Sequence, residues 1–219
     1  MQVSEATSHL IKGAKVPSTG EEGIEVLNPA TGEQIGYIPA GTPEDATAAV
    51  AAAREALPGW SRLPAAERAE LVKVAARRMR EHAEELAGLV TLENGKPLDD
   101  ALGGVEAGIG TLEQYAELGP LHRGKSLNGD YMATDTMVHE PCGVAAVVVP
   151  WNDPIAIACG YLGAALVTGN TVVFKPSEKT PLSAVWLAAM FDGLPEGVLN
   201  LLLGDARAGH PLVSHEDVN

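Results

Sequence analysis

Three short apolar runs in the C-terminal half of the chain dominate its pattern of hydrophobic and polar positions. Residues 144–149, 171–174 and 198–203 consist almost entirely of apolar side chains, without alternation. Such runs are typical of strands that are buried on both faces of a parallel sheet. Helical segments at residues 155–167 and 181–191 separate them. The pattern therefore predicts an α/β fold with a parallel βαβαβ unit, whose last strand we expect to leave an unpaired outer edge.

The N-terminal half is patterned mainly for helices. Thr42 is the residue type that caps a helix, and the Ala-rich helix after it is expected to end at the Pro-Gly pair at residues 58–59. An apolar stripe at helical spacing predicts one helical region over residues 64–92, and a third helix is expected over residues 98–118. This half therefore supplies helices that can pack on the predicted sheet.

Turn-forming residues mark the segments between these elements. Residues 1–25 are rich in polar residues and glycine and are expected to form an arm. The Asn-Pro and Thr-Gly pairs between residues 25–27 and 34–39 predict a β-hairpin. Residues 131–139 have strand character. A short β-element is therefore expected between the helices and the parallel sheet.

Composition and charge narrow the possible partners and the compartment. The chain has 219 residues, 46% of them hydrophobic, which is enough to bury a core. A net charge of −14 argues against binding to nucleic acid or to an anionic membrane. Two cysteines, Cys142 and Cys159, form no CxxC motif and no disulfide framework, which favours the reducing cytoplasm. The N-terminal residues lack the apolar region of a secretory signal, and residues 155–167 are too few to cross a bilayer.

Polar residues follow the first two predicted strands at the point where each strand ends. The tripeptide Trp-Asn-Asp at residues 151–153 follows the first strand, and Lys175, Ser177 and Glu178 follow the second. Ligands of open α/β sheets bind beyond the carboxyl ends of the strands, so these residues form the predicted site. No GxGxxG motif occurs, which by general rules argues against a dinucleotide site.

Five phrases of the sequence, in this order, resemble the N-terminal half of the NAD(P)-dependent aldehyde dehydrogenase superfamily. They are VLNPATGEQIGYIPAG, LENGKP, PWNDP, GNTVVFKPSEKTPLSA and GLPEGVLNLLLGD, and the resemblance runs from about residue 10 to the end. It implies oxidation of an aldehyde to a carboxylic acid by NAD(P)+ through a thiohemiacetal. The family binds its cofactor without GxGxxG, so the missing motif fits. The family's catalytic cysteine and glutamate lie beyond the matched portion, so we expect this chain alone to be inactive.

The resemblance also implies how the chain is organised. An aldehyde-dehydrogenase-like fold would combine N-terminal helices with the first half of a Rossmann-like parallel sheet. Residues 1–122 would form the arm and the helical part of the cofactor-binding domain. Residues 123–141 would form a protruding β-element for oligomerisation, giving a homodimer or homotetramer in the complete enzyme. Residues 142–219 would form an incomplete NAD(P)-binding domain.

The resemblance implies a catalytic role for Asn152. This residue matches the asparagine whose amide stabilises the oxyanion formed when a thiolate attacks an aldehyde, a contribution of several kcal/mol in typical cases. From its position alone, Asn152 is as readily the N-cap of the following helix, and the two roles are compatible. The resemblance also places Val149, Pro150, Trp151 and Asn152 against the cofactor, although simple packing explains Trp151 equally well.

Lys175 and Glu178 match the residues that hydrogen-bond the adenosine ribose of the cofactor. Without the resemblance they are interpreted as solvated charges at a strand end. A carboxylate accepts a hydrogen bond from a ribose 2′-OH and repels a 2′-phosphate, which favours NAD, whereas Ser177 and Lys175 can bind the phosphate of NADP. Gly209 is assigned either to close approach of the cofactor or to the geometry of a turn before a helix.

Asp153 departs from the family pattern, which usually has an aromatic residue there. In a substrate tunnel its carboxylate would favour a polar or cationic aldehyde, whereas an interaction with the helix dipole explains it without a substrate. No metal site is predicted, because the histidines near the C-terminus lack an HExxH motif. Two alternative functions stay open. One is a non-catalytic nucleotide-binding or association fragment, and the other is an acyl-phosphate or CoA-dependent reductase of the same superfamily.

Overall fold

The computed structural model describes residues 8–219 and begins with four short strands. These are β1 (Ser8–Ile11), β2 (Ala14–Pro17), β3 (Gly23–Leu27) and β4 (Gln34–Pro39). Strands β3 and β4 pair antiparallel, which confirms the predicted hairpin. The expected arm is wrong over residues 8–17, which form the antiparallel pair β1–β2, and residues 1–7 of that arm lie outside the described residues. Strand β1 was missed because its pairing with a distant strand, described below, is invisible in four residues of local sequence.

Four helices follow, of which the first packs against the sheet and α7 (Ala206–Val213), and the other three pack against one another. They are α1 (Pro43–Arg62), α2 (Ala65–Glu81), α3 (Ala83–Asn94) and α4 (Leu98–Leu118). Helix α1 begins as predicted, with Thr42 and Asp45 forming a capping box. The predicted single region over residues 64–92 is in fact two helices, which meet at His82.

The expected end of α1 at residues 58–59 is wrong, because the helix continues to Arg62. Two contacts secure its last turn. Trp60 is almost completely buried in the core, and the guanidinium of Arg68 donates hydrogen bonds to the carbonyls of Ser61 and Leu63. These contacts offset the missing N–H of Pro58, whose cost in isolation ends most helices.

A hairpin of two short strands separates the helices from the parallel sheet. It consists of β5 (Ser126–Asp130) and β6 (Ala133–Thr136), so the expected strand character of residues 131–139 is confirmed only over four residues. Tyr131 and Met132 at its tip are almost fully exposed, and Val138 beside it is also exposed. The hairpin therefore presents apolar side chains to solvent.

The C-terminal part alternates strands and helices as predicted. Its elements are β7 (Val144–Val148), α5 (Pro154–Val167), β8 (Thr171–Lys175), α6 (Pro181–Met190), β9 (Leu199–Leu201) and α7 (Ala206–Val213). Strands β7, β8 and β9 pair in parallel, which confirms the βαβαβ unit and the α/β fold. Among the helices of residues 8–219, none combines the length and the apolar character needed to cross a membrane.

The five-stranded sheet has the order β2-β1-β9-β8-β7, which corrects two expectations. The outer edge of residues 198–203 is not unpaired, because β1 runs antiparallel to β9 there. The two outer strands are β2 and β7, and within residues 8–219 only the first residue of β7 is hydrogen-bonded outward, to Asn219. All five residues of β8 are buried, but Val148 of β7 is 45% exposed, so β7 is not buried on both faces. A strand at the edge of a sheet has fewer covering elements than a central one.

His9 fixes β1 against the rest of the molecule. Its buried ring lies 3.0 Å from the Asp45 carboxylate through Nε2, and its Nδ1 accepts the backbone N–H of Leu203. Burial lowers the pKa of His9 below its usual value, although the Asp45 charge opposes this. A neutral imidazole can donate at one nitrogen and accept at the other, as this pairing requires.

Candidate functional site

The chain leaves β7 through the first of two polar turns. Val149 is buried, and its N–H donates to the Lys175 carbonyl at 3.0 Å, so the parallel pairing of β7 with β8 extends by one residue. Beyond it the chain emerges from the core. Pro150 and Asn152 are exposed, and Trp151 is 49% exposed. The register thus delivers residues 150–152 to solvent at the carboxyl end of the strand.

Asn152 is not the N-cap of α5, and its interpretation as a capping residue is wrong. The N-cap is Asp153, whose side chain makes no capping hydrogen bond. Within residues 8–219 no hydrogen bond of the Asn152 side chain is found, and the residue is exposed. Its amide N–H groups are therefore available to a ligand.

Helix α3 ends in a segment that contacts the elements after both strands, and we call residues 93–96 the clamp segment. Its first residue, Glu93, is buried and accepts the backbone N–H groups of Leu182 at 2.7 Å and Ser183 at 3.0 Å. Those groups belong to the first turn of α6, where a helix has unpaired donors. Burial raises the pKa of Glu93 to about 7, against the opposing effect of these hydrogen bonds.

The next residues of the clamp segment reach the turn after β7. The Asn94 amide donates a hydrogen bond to the Trp151 carbonyl. The Lys96 ammonium lies 3.3 Å from Oδ1 of Asp153, a pair in which both side chains are partly exposed. The sequence contained this segment in the LENGKP phrase, but only the resemblance singled it out. Its contacts join residues 57 or more positions apart, so no local pattern could have shown them.

Lys175 is buried at the start of the second polar turn, so its interpretation as a solvated strand-end charge is wrong. It is 4% exposed, and its ammonium donates to the Pro176 carbonyl at 2.7 Å. Burial lowers the pKa of Lys175, while the charges of Glu178 and Asp205 act in the opposite direction. Glu178 is half-buried and forms no ion pair with Lys175 in the described part of the chain. The carboxylate is therefore left to interact with a ligand.

Gly209 lies beside Lys175, although 34 positions separate them in the sequence. It belongs to α7 itself, so its assignment to a turn before the helix is wrong. A Cβ atom at this position would lie 3.3 Å from both Cδ and Cε of Lys175. The glycine therefore leaves room for the lysine stem between β8 and α7. Ser177 is half-buried, and its Oγ accepts the N–H of Lys179 at 3.2 Å.

An open cavity of about 480 Å³ brings the two turns together. Trp151 and Glu178 both line it, and the Lys179 ammonium lies 5.5 Å from the centre of the Trp151 ring. Glu93 and Asn94 of the clamp segment also border it. A second cavity, of about 300 Å³, lies between β1 and α6, and none of its lining residues belongs to the predicted site. Of the predicted residues, Trp151 and Glu178 therefore border one cavity, at the face of the molecule where the parallel strands β7 and β8 end.

Neither thiol lies at this face. Cys159 is buried within α5, and burial raises the pKa of its thiol. Cys142 is exposed but precedes β7, whereas Asn152 follows the other end of that strand. A strand rises about 3.3 Å per residue, so the two ends of this five-residue strand are about 13 Å apart. In residues 8–219 no group of three or more potential metal ligands is found.

Comparison with known proteins shows which family the sequence of this chain resembles. The model of the aldehyde dehydrogenase family matches residues 15–219. Malonate-semialdehyde dehydrogenase 1 of Geobacillus thermodenitrificans is 41% identical over 211 residues, covering 95% of this chain and 44% of the relative. Succinate-semialdehyde dehydrogenase [NADP(+)] GabD of Escherichia coli is 39% identical over 210 residues, covering 94% of this chain and 44% of the relative.

The solved structures agree in fold. Betaine aldehyde dehydrogenase from Staphylococcus aureus, crystallised with NAD+, superposes with a TM-score of 0.94 at 32% identity. The superposition covers 97% of this chain and 45% of that structure. The chain therefore spans less than half the length of the relatives it matches, and corresponds to an N-terminal portion of them.

Proposed function

The chain belongs to the aldehyde dehydrogenase family, and we propose that it supplies the adenosine side of a cofactor site and one oxyanion donor to an enzyme that oxidises an aldehyde to a carboxylic acid. One observation carries the proposal. At the carboxyl end of parallel strands β7 and β8, an exposed Asn152 amide lies on the same face as a buried Lys175 and a half-buried Glu178. Crevices at this end of a parallel sheet are where such folds bind ligands.

The residues of the second turn fit a nicotinamide cofactor. The missing side chain of Gly209 leaves an approach beside Lys175, whose ammonium and whose neighbour Glu178 supply a donor and an acceptor for ribose hydroxyls. When bound, the cofactor accepts hydride from the substrate. A carboxylate at position 178 repels a 2′-phosphate, so we infer a preference for NAD, with NADP as the second cofactor. The relatives include structures in complex with NAD+ and an enzyme named for NADP(+).

Asn152 and the start of α5 would act on the aldehyde oxygen. When a thiolate adds to the aldehyde carbon, the carbonyl oxygen acquires negative charge, and the Asn152 amide donates a hydrogen bond to it. The positive end of the α5 dipole would add to this stabilisation, but the Asp153 carboxylate at the N-cap opposes it, so the Asn152 amide is the main donor in this proposal.

Asp153 does not select a cationic aldehyde in this proposal. Its carboxylate is paired with Lys96 at 3.3 Å, so the turn presents a balanced pair of charges. A Cβ atom at Gly104 of α4 would lie 2.6 Å from Oδ1 of Asp153, so α4 also confines the carboxylate. We infer that Asp153 has a structural role at the start of α5.

We propose the location and assembly of the complete enzyme from its free cysteines and from an exposed apolar hairpin tip. Both cysteines are free in the described chain, which supports a reducing cytoplasmic location. The exposed apolar tip of the β5–β6 hairpin, at Tyr131 and Met132, supports association into a homodimer or homotetramer. Size-exclusion chromatography with light scattering of the Tyr131→Ser/Met132→Ser variant of the complete enzyme would test this. A mass unchanged from that of wild type would contradict it.

The chain by itself is proposed to bind nucleotide without catalysing the reaction. Covalent catalysis requires a nucleophile beside the oxyanion donor, and neither Cys142 nor Cys159 is near Asn152. The isolated chain should therefore give no NADH above background with a panel of aldehydes, while a complete enzyme that contains it turns over. Activity of the isolated chain that is lost in Cys142→Ser or Cys159→Ser would overturn this assignment of both thiols.

A further inference from the structure

The Trp151 carbonyl accepts the Asn94 amide, and this contact bears directly on Asn152. The peptide group between residues 151 and 152 is planar, so the Trp151 C=O and the Asn152 N–H belong to one rigid unit. A hydrogen bond that fixes the carbonyl therefore fixes the plane from which the Asn152 backbone starts. The direction of the Asn152 side chain depends on that backbone.

Within residues 8–219, the position of Asn152 is set by contacts of its two neighbours rather than by its own side chain. It is exposed, and no hydrogen bond of its side chain is found in the described chain. On its C-terminal side the turn is held by Asp153, which pairs with Lys96 and occupies the N-cap position of α5. The two residues that hold the turn, Asn94 and Lys96, both belong to the clamp segment. They contact the residues immediately before and after Asn152.

The clamp segment is rigid enough to set a position. Gly95 ends α3 in the left-handed conformation with φ 81°, and its N–H donates to the Thr91 carbonyl at 2.9 Å. A Cβ atom on Gly95 would lie 2.9 Å from Pro29, so the glycine permits close packing against the β3–β4 hairpin. Glu93 binds the start of α6. Asn94 is thus fixed by neighbours on both sides.

We propose that Asn94 is a positioning residue, which orients the oxyanion donor Asn152 by holding the Trp151 carbonyl. The inference rests on the proposed function of Asn152. Oxyanion stabilisation requires a donor at a defined distance from the developing charge, and a displacement of about 1 Å can cost a factor of about 100 in rate. Loss of the Asn94 amide should therefore slow the addition step without weakening cofactor binding.

The test is a double-mutant cycle in a complete enzyme that carries this chain. The single-turnover rate of NADH formation is measured at saturating aldehyde and NAD+ for Asn94→Ala, Asn152→Ala and the double variant. Asn94→Ala should be slower by about tenfold, with the Kd for NAD+ unchanged. Because Asn94 acts through Asn152, the double variant should be no slower than Asn152→Ala.

A matched control separates positioning from loss of stability. Asn170 also donates its amide to a backbone carbonyl, that of Ala165, but at the opposite end of α5 from Asn152. Asn170→Ala should change the rate by the same factor in the wild-type and Asn152→Ala backgrounds. If Asn94→Ala does not fold, Asn94→Asp keeps the shape, removes the donor and should give the same non-additive loss.

The outcomes distinguish the two proposals. If Asn152→Ala turns over as fast as wild type, the proposed function of Asn152 is wrong, and the inference about Asn94 is wrong with it. If Asn152→Ala is slow but Asn94→Ala is as fast as wild type, only the inference about Asn94 is wrong. The same holds if the two losses multiply in the double variant.

Discussion

In the polar turn after β7, residues 150–152 are exposed, whereas the polar segment at the end of β8, residues 175–178, begins with a buried lysine. The first turn is held by another element, the clamp segment, through the Trp151 carbonyl and Asp153. The second is held by its own backbone and by α7, since Lys175 donates to the adjacent Pro176 carbonyl and packs beside Gly209.

This difference matches two different tasks. A group that stabilises a transition state must face the substrate and keep its position without being buried by its own neighbours. Contacts from outside the turn achieve this for Asn152. A group that binds a ribose hydroxyl benefits from partial burial, because a hydrogen bond is electrostatically stronger where water is excluded. The comparison therefore predicts that changes in the first turn alter rate and that changes in the second alter cofactor binding.

The largest effect is expected for Asn152→Ala in the complete enzyme. Removal of one oxyanion donor typically lowers kcat by about 100- to 1,000-fold. The KM for NAD+ should change by less than about threefold, because the amide acts on the reacting oxygen. Steady-state kinetics of the wild type and Asn152→Ala with one aldehyde measures this. A rise in the KM for NAD+ with kcat preserved would assign Asn152 to binding, and the comparison would fail.

The next largest effect is expected on stability, from Glu93, which joins the clamp segment to the start of α6. The pKa of Glu93 is raised by burial from 4.5 to about 7 in the folded protein. Between these values the folded state binds more protons than the unfolded state, so this group lowers stability as pH rises through that window. Above about pH 7 the carboxylate is charged in the folded state, and its full burial cost is present.

Glu93→Gln removes this titration but keeps an acceptor for the start of α6. Relative to the variant, the free energy of unfolding of the wild type should therefore fall by about 2 kcal/mol between pH 5 and pH 8. Urea unfolding at the two pH values measures the change. A difference that is independent of pH would mean that Glu93 titrates at an ordinary pKa.

These elements also show what the sequence reveals and what it conceals. Residues 171–174, four of the five residues of β8, were predicted from their apolar run, because a central strand is buried whatever surrounds it. The fifth, Lys175, was expected to lie beyond the strand. The burial of β7 was overestimated because an edge position depends on which strands lie beside it. Pro58 was expected to end α1, but Trp60 and Arg68 hold the helix through contacts made elsewhere.

For the candidate site, the sequence predicted where the residues lie along the chain but not what they contact. Residues after strand ends were identified from the alternation of strands and helices, and the resemblance assigned their roles. The burial of Lys175 and its proximity to Gly209 depend on how α7 packs, 34 positions away. The contacts of Glu93 and Asn94 depend on where α3 ends relative to the sheet. Packing between distant elements decides these features, and no periodicity encodes them.

The smallest effect is expected at the cofactor side, from Gly209→Ala. The added Cβ would lie 3.3 Å from two carbons of Lys175, so the lysine stem must shift by a few tenths of an ångström. We expect the KM for NAD+ to rise by about threefold with kcat unchanged. Gly88→Ala is the matched control, because it is also a helical glycine and a Cβ there meets nothing within 4 Å. An equal effect of both variants would refute a specific role for Gly209.

The division between the two turns is tested most directly by comparing Glu178→Gln with Asn152→Ala. In the complete enzyme, kcat/KM is measured for NAD+ and NADP+, together with the single-turnover rate at saturating cofactor. Glu178→Gln removes the charge that repels a 2′-phosphate, so the NAD+ to NADP+ ratio should fall by about tenfold, equivalent to about 1.4 kcal/mol, with the single-turnover rate preserved. Asn152→Ala should do the reverse, with the ratio preserved and the rate lowered. An unchanged ratio in Glu178→Gln would contradict the account, because Glu178 would then be only a charge at the end of a strand.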